Sequence, residues 1–388
     1  MKSGRLTYLD MAKGFGIIFV VLGHSQFLNE QVRIVITSFH MPLFFFVSGM
    51  LIFHIGEEQR PMREILRRKA LSMLVPYAVF SAVYLAIYGG YYYAHLHIIE
   101  FNVIRGYLIQ TFGLGGMSVL WFLTALFFSE LAFFGLLKAF RKRHAAVIVV
   151  CVLCAVAAPL VKPQFDRLFP RTNVPLRLLY ELIGTWLRSM VGLGFLMAGY
   201  ELMRLFQRLD GYMLPKTVPQ TLSKPVPQTL SKPVPQTLAL KKRVLFVCAG
   251  FCGLALTACL SLYNGLTDLH YMVFHHLWLY YLNAVLGTCS LIFICKYGKI
   301  LRGICYLGAN SLVIMATHLD CQYMLKAIDF GYFLVSISPR AKKYCLYFGI
   351  ASSLLVMELV TIYVVNHLVP FVIGKGYPKR KKKNGAGE

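Results

Sequence analysis

The chain has 388 residues, of which 57% are hydrophobic and only 14% are charged, and its mean hydropathy is +0.62. This composition excludes an ordinary soluble globular protein and indicates a polytopic membrane protein. The net charge of +24 at pH 7 lies in short loops rather than in a basic soluble domain, which speaks against a nucleic-acid-binding protein.

Stretches of about 20 apolar residues predict about ten transmembrane helices. In chain order these stretches lie near residues 13–29, 34–55, 70–93, 118–140, 145–161, 178–203, 244–262, 271–295, 303–325 and 345–373. If the N-terminus is cytoplasmic, most of the 40 Lys and Arg fall in cytoplasmic segments, as the positive-inside rule favours. We therefore expect an all-α integral membrane protein of the inner or plasma membrane, with both termini in the cytoplasm and membrane lipid around its helices.

Two segments outside the apolar stretches divide the chain. Residues 205–243 contain the repeat KTVPQTLS, KPVPQTLS, KPVPQTLA, whose prolines favour extended chain, so we predict a cytoplasmic linker that tolerates deletion. The alternative is a docking site for a proline-binding partner. The linker separates an N-terminal transmembrane half, residues 1–204, from a C-terminal half, residues 244–374. The basic tail, residues 375–388, is interpreted as a positive-inside anchor that attracts anionic lipid.

The first apolar stretch, LDMAKGFGIIFVVLGHS, contains two ionisable residues, Lys13 and His24. Eleven helical steps of about 100° place both side chains on one face, about 16 Å apart along the axis. Asp10 lies one turn before Lys13 and can pair with it. Because ionisable groups inside a membrane are costly, we interpret the pair as part of a functional site. The structural alternative makes His24 a polar packing residue and Lys13 a boundary lysine that snorkels.

The second stretch contains FHMPLFFFVSGM, in which Pro42 and Gly49 interrupt the apolar pattern and His40 and Ser48 are polar. Such residues are tolerated where a helix lines a cavity or packs closely on another helix. The motif therefore favours a functional role and a packing role about equally.

Two motifs lie at the start of the third and fourth stretches. RRKALSMLVPY begins with Arg67 and Arg68 on the predicted cytoplasmic side, a placement that the positive-inside bias alone also explains. LWFLTALFFSE carries Trp121, which we assign to the interfacial aromatic belt, with sugar stacking as the alternative. Glu130 lies deeper in the same stretch and needs a partner.

Further polar residues lie in later stretches. Glu181 and Arg188 stand seven residues apart on one helix face, so they are expected to line a cavity. The last motif, LGANSLVIMATH, places Asn310, Ser311 and His318 in the ninth stretch, the latter two on nearly the same face.

These five motifs in this order closely resemble the membrane-bound acyltransferase 3 family, in particular its fucose O-acetylase-like branch. The resemblance runs from Arg5 to about His318. It implies transfer of an acyl group, usually acetyl from cytoplasmic acetyl-CoA, to a sugar hydroxyl, often in a cell-surface polysaccharide. The family signature, a basic residue and then a histidine after ten intervening positions, falls on Lys13 and His24. The family commonly has arginine at the first position. The lysine found here resembles the pattern of the fucose acetylase-like branch.

This reaction gives roles to the candidate residues. A sugar hydroxyl is a weak nucleophile, so His24 is predicted to be the general base that takes its proton during attack on the thioester. Lys13, paired with Asp10, is predicted to hold the phosphate or pantetheine groups of acetyl-CoA. Arg67 and Arg68 are candidates for the coenzyme A phosphates, which guanidinium groups match in a bidentate way.

The remaining polar residues of the motifs are weaker candidates. Ser48 and His40 are candidates for orienting the donor or the acceptor. Asn310 and Ser311 are candidates for stabilising the oxyanion, and His318 for orienting the acceptor. No Cys and His spacing indicates a metal site, so we expect no metal.

Two other functions compete with acyl transfer. A transporter or channel for a polar solute suits the buried charges, but no inverted repeat is evident. A nonenzymatic membrane subunit recruited through the repeat is the third hypothesis. The acyltransferase hypothesis expects a carbohydrate acceptor, either a surface glycan or its lipid-linked precursor, and no nucleic acid.

Overall fold

The computed structural model describes residues 5–25, 28–96, 101–141, 143–170, 173–213, 236–319, 321, 323–337 and 342–374. Over these residues the chain is mainly helical, and the β pairing among them is one isolated bridge between Asp268 and Val273. The middle of the predicted linker and the basic tail lie outside the described residues. Both ends of that linker are helical, because one helix continues to Met213 and the next begins at Gln236.

Fifteen α-helices make up most of the described chain. They are α1 (Thr7–Gly23), α2 (Glu30–Thr37), α3 (His40–Ile55), α4 (Met62–Lys69), α5 (Val75–Leu96), α6 (Phe101–Phe112), α7 (Trp121–Ala139), α8 (His144–Leu168), α9 (Val174–Met213), α10 (Gln236–Asn264), α11 (Leu277–Tyr297), α12 (Arg302–Ala309), α13 (Ser311–Thr317), α14 (Tyr323–Ile337) and α15 (Lys342–His367).

Eight helical segments in the described part are long and apolar enough to cross a membrane, by length and composition. They match eight of the ten predicted stretches, and the all-α membrane fold is confirmed. The other two stretches are the first, where α1 has 17 residues, and the ninth, where the helix breaks at Asn310. The break has a local cause, because Gly308, Asn310 and Ser311 are weak helix formers and the Asn310 side chain donates a hydrogen bond to the Tyr306 carbonyl of the preceding turn.

The chain forms two compact units. The first contains residues 1–62 and 128–311, and the second contains residues 63–127 and 312–388. The first unit therefore includes helices α1 to α3, the later part of α7, and helices α8 to α12.

Close helix packing in the first unit depends on glycine. A Cβ at Gly49 of α3 would lie 1.9 Å from the carbonyl oxygen of Leu196, and one at Gly199 of α9 would lie 1.9 Å from that of Phe46. Helix association in lipid gains little from the hydrophobic effect, so close van der Waals contact between small residues takes its place. Gly49 thus serves the packing of α3 on α9.

The second unit contains the basic helix α4, which continues through a π-helical turn, Ala70–Leu74, into α5. Pro76 follows this turn and has no N–H to donate to the preceding turn, which explains the wider helix here. Trp121 also belongs to this unit, and its side chain is only 7% exposed. A belt residue contacts lipid headgroups, so the assignment of Trp121 to the aromatic belt is wrong.

Candidate active site

Helix α1 carries both residues of the predicted catalytic pair. It ends at Gly23, and His24 occupies the C-terminal cap position with right-handed helical dihedrals, φ −86° and ψ −8°. The His24 N–H donates to the Val20 carbonyl at 3.2 Å. Helical geometry therefore runs unbroken from Lys13 to His24, which places the two side chains on one face about 16 Å apart along the axis.

Asp10 forms ion pairs with two basic residues near the start of α1, Arg5 and Lys13. Its Oδ1 lies 2.9 Å from Lys13 Nζ, and its Oδ2 accepts a hydrogen bond from Arg5 Nε. Asp10 is 6% exposed, whereas Lys13 is partly exposed. The predicted pairing of Asp10 with Lys13 is confirmed. The Lys13 ammonium group is held by this ion pair and is still partly accessible to a ligand.

Helix α12 packs directly on α1 beside this ion pair. A Cβ at Gly308 would lie 1.8 Å from the Asp10 carbonyl oxygen, and one at Gly14 would lie 2.1 Å from the Ile304 carbonyl oxygen. The two backbones thus meet at glycines on both sides. This contact brings the first and the last sequence motifs together, with Asn310 at the end of α12.

His24 is exposed and has charged neighbours from other parts of the first unit. Asp268 and Arg33 both interact electrostatically with its ring, as does His40 at the start of α3. Arg33 Nη2 also donates to the Ser25 carbonyl at 2.8 Å, which fixes the chain directly after His24. An accessible imidazole with a carboxylate in its surroundings is an arrangement suited to a general base.

Asp268 lies in the loop between α10 and α11, residues 265–276. The eighth predicted stretch began at residue 271, but α11 begins at Leu277, so the loop is longer than expected. Neither Asp268 nor His270 is among the residues predicted from the sequence. The available signal was the pattern LTDLHY, with an acid and a histidine in a short loop on the side opposite the predicted cytoplasmic termini.

With this geometry in place, the chain was compared with known proteins. A family model described as an acyltransferase domain, Acyl_transf_3, matches residues 6–373. The chain belongs to the acyltransferase 3 family. Searches of curated proteins and of solved structures found no match to this chain. An acyltransferase of this family with several apolar helices is a multi-pass membrane protein, which fits the eight candidate spans in the described chain.

The predicted donor-binding arginines of this acyltransferase lie on α4, in the second unit. Ile65 of α4 is fully buried, while Arg67 and Arg68 are exposed. Arg68 Nη1 stands 3.5 Å from Glu64 Oε1, an exposed pair that contributes little stability. Both guanidinium groups are thus accessible to an anion, and their contact with the donor stays a prediction.

Ser48 belongs to the first unit and has a specific partner. Its hydroxyl donates to Glu130 Oε1, and Glu130 is 1% exposed. A buried carboxylate at Glu130 needs a partner, and Ser48 is one. This contact links the second and fourth motifs of the acyltransferase family pattern.

The last motif contributes to both units. Asn310 Nδ2 donates to the Tyr306 carbonyl at 2.9 Å, and Ser311 starts α13. In the second unit His318 is 0% exposed, and its Nδ1 lies 2.8 Å from the Ile314 carbonyl oxygen. Beside it in sequence, the Thr317 hydroxyl donates to both carboxylate oxygens of Glu358, at 2.9 and 3.1 Å. His318 is therefore in a buried core, in contrast to the exposed His24.

Proposed function

We propose that this acyltransferase moves an acetyl group from cytoplasmic acetyl-CoA to a sugar hydroxyl of a cell-surface polysaccharide or of its lipid-linked precursor, in the inner or plasma membrane. The family membership supports the reaction type. The acetyl-CoA donor, the carbohydrate acceptor and the inner or plasma membrane are parts of the proposal.

One observation carries the proposal. A single helix holds an accessible imidazole, His24, about 16 Å from a carboxylate-paired cation, Lys13, on the same face. A long, thin donor with phosphates at one end and a thioester at the other suits this spacing. With the N-terminus in the cytoplasm, Lys13 is at the cytoplasmic end of α1, and the donor arrives from that side.

His24 is the general base of the proposed reaction. The proton of the sugar hydroxyl passes to the imidazole while the hydroxyl oxygen bonds to the carbonyl carbon of the thioester. When the tetrahedral intermediate collapses, the carbon–sulfur bond breaks and the proton on His24 passes to the leaving thiolate. The products are the sugar ester and the free thiol, so atoms and charges balance.

The other candidates bind and orient. Lys13 holds an anionic part of the donor, with Asp10 fixing its position, and Arg67 and Arg68 bind phosphate oxygens. Ser48, held by Glu130, contributes to the donor site. These roles predict effects on the KM for acetyl-CoA.

The last motif holds the remaining candidates. The role of Asn310 and Ser311 in stabilising the oxyanion stays a prediction, because Gly308 packs on Asp10 and Gly14 and so places these residues nearer Lys13 than His24. The role of His318 in orienting the acceptor stays a prediction, since its side chain is buried within the second unit.

Mass spectrometry of surface glycans tests the proposal. Cells that produce the protein should carry glycans with the added mass of an acetyl group, and cells without it, or with His24→Ala, should lack that mass. His367→Ala is a matched control, because this exposed histidine near the end of α15 hydrogen-bonds the Tyr363 carbonyl and stacks on the Tyr363 ring of its own helix. Identical glycans with and without the protein would refute the proposed function.

A further inference from the structure

The loop between α10 and α11 is held in one conformation by its own hydrogen bonds. The bridge between Asp268 and Val273 has two backbone bonds of 2.9 and 3.0 Å. Asp268 Oδ1 also accepts from the Tyr271 N–H at 3.0 Å, and Asn264 Oδ1 accepts from the His276 N–H at 3.0 Å. Three side chains of the loop are also buried: Thr267, Leu269 and Met272. The remaining loop side chains are thus presented in fixed positions.

Two of these side chains form an aromatic surface. The rings of His270 and Tyr271 stack with centroids 4.6 Å apart and planes 9° from parallel, and Tyr271 is 67% exposed. Burial of His270, together with the charges of Arg188 and Lys162, lowers its pKa to about 3, so the ring is neutral at physiological pH. A neutral stacked pair that ends in an exposed tyrosine offers a flat apolar face with a hydroxyl at its edge.

The charges near this surface are balanced. Buried Lys162 is paired with Asp166, and buried Arg188 interacts with Glu181 and with Asp268. Each cation therefore has a carboxylate close to it. This pairing lowers the attraction of the surface for an anion, which favours an uncharged ligand over a phosphate or a uronate.

We propose that Tyr271 and Asp268 form the acceptor site and that they bind an uncharged saccharide. The apolar face of a sugar ring packs on the Tyr271 ring, and its hydroxyls donate to the Asp268 carboxylate, which can accept further hydrogen bonds beyond that of the loop. Since Asp268 also acts on His24, a sugar held here is close to the general base. This inference rests on the proposed function and adds the class of acceptor and the residues that recognise it.

Steady-state kinetics of the full chain in lipid nanodiscs provide the first test. With the glycan that mass spectrometry identifies as acceptor, Tyr271→Ala should raise the KM for acceptor about two- to twelve-fold and leave the KM for acetyl-CoA unchanged. Tyr271→Phe should stay near wild type. The control is Tyr363→Ala, because Tyr363 is also exposed (60%) and stacked on a histidine, His367, but lies on α15. An unchanged acceptor KM in Tyr271→Ala would overturn the assignment.

A donor-free binding measurement separates this inference from the proposed function. Saturation-transfer NMR with glucose, fucose, N-acetylglucosamine and glucuronate should show binding of at least one neutral sugar that Tyr271→Ala and Asp268→Asn weaken, and none of glucuronate. If the wild-type protein binds sugars in this way but transfers no acetyl group, the saccharide site is supported and the proposed function is refuted. Acetyl transfer with sugar binding insensitive to both variants, or preferred binding of glucuronate, would refute the site alone.

Discussion

Gly308→Ala tests the contact that joins the first and last motifs. A Cβ at this position lies 1.8 Å from the Asp10 carbonyl oxygen and 2.6 Å from the Gly14 nitrogen, whereas ordinary contacts begin at 3.4 Å. Helices α1 and α12 must therefore separate by about 1.6 Å, since both close atoms belong to the backbone. Overpacking of this kind costs about 1–3 kcal/mol of stability.

The same shift displaces α1, which carries Lys13 and His24. A misplacement of about 1 Å lowers the rate about 100-fold, so Gly308→Ala should lose most acyl transfer before it loses expression. The assay is transfer from labelled acetyl-CoA by membranes with equal amounts of protein, together with the thermal midpoint of the detergent-solubilised chain. Gly303→Ala is the matched control on α12, because a methyl group added there would meet no neighbouring atom within 4 Å. Wild-type transfer and stability in Gly308→Ala would show that this helix contact does not position α1.

Three further outcomes are expected. Lys13→Arg should keep acyl transfer because arginine can still pair with Asp10, whereas Lys13→Ala should raise the KM for acetyl-CoA. An equal loss of transfer in both variants would contradict the proposal that Lys13 acts through its positive charge. Burial raises the pKa of Glu58 above its usual value, so the folded chain binds this proton more tightly than the unfolded chain, and stability should fall as the pH rises from about 4.5 through the folded pKa. Thermal midpoints across this range should show a smaller fall for Glu58→Gln, and parallel curves would contradict the assignment. Deletion of residues 216–239 should leave membrane insertion and transfer unchanged, and loss of transfer with normal insertion would give the repeat a function.

The sequence predicted the helical class and most of the spans because hydropathy over about 20 residues reports directly on burial in lipid. It did not predict the break at Asn310, since the window around it is apolar and only the run Gly308, Asn310, Ser311 signals a weak helix. Trp121 was misassigned for a related reason, because hydropathy does not tell a lipid-facing position from one buried in protein.

The candidate site was predicted in part. The placement of Lys13 and His24 on one face and the pairing of Lys13 with Asp10 follow from helix periodicity alone. The neighbours of His24 could not be found in this way, because Asp268 is 244 positions away in sequence and is brought near His24 by a loop conformation that no periodicity encodes.

The central claim is that His24 acts as the base for acyl transfer, and the most direct measurement is the rate of transfer by purified His24→Ala in nanodiscs. The rate should fall about 100- to 10,000-fold, while the thermal midpoint and the affinity for acetyl-CoA stay near wild type. A His24→Ala variant that transfers acetyl groups at the wild-type rate would contradict the assignment.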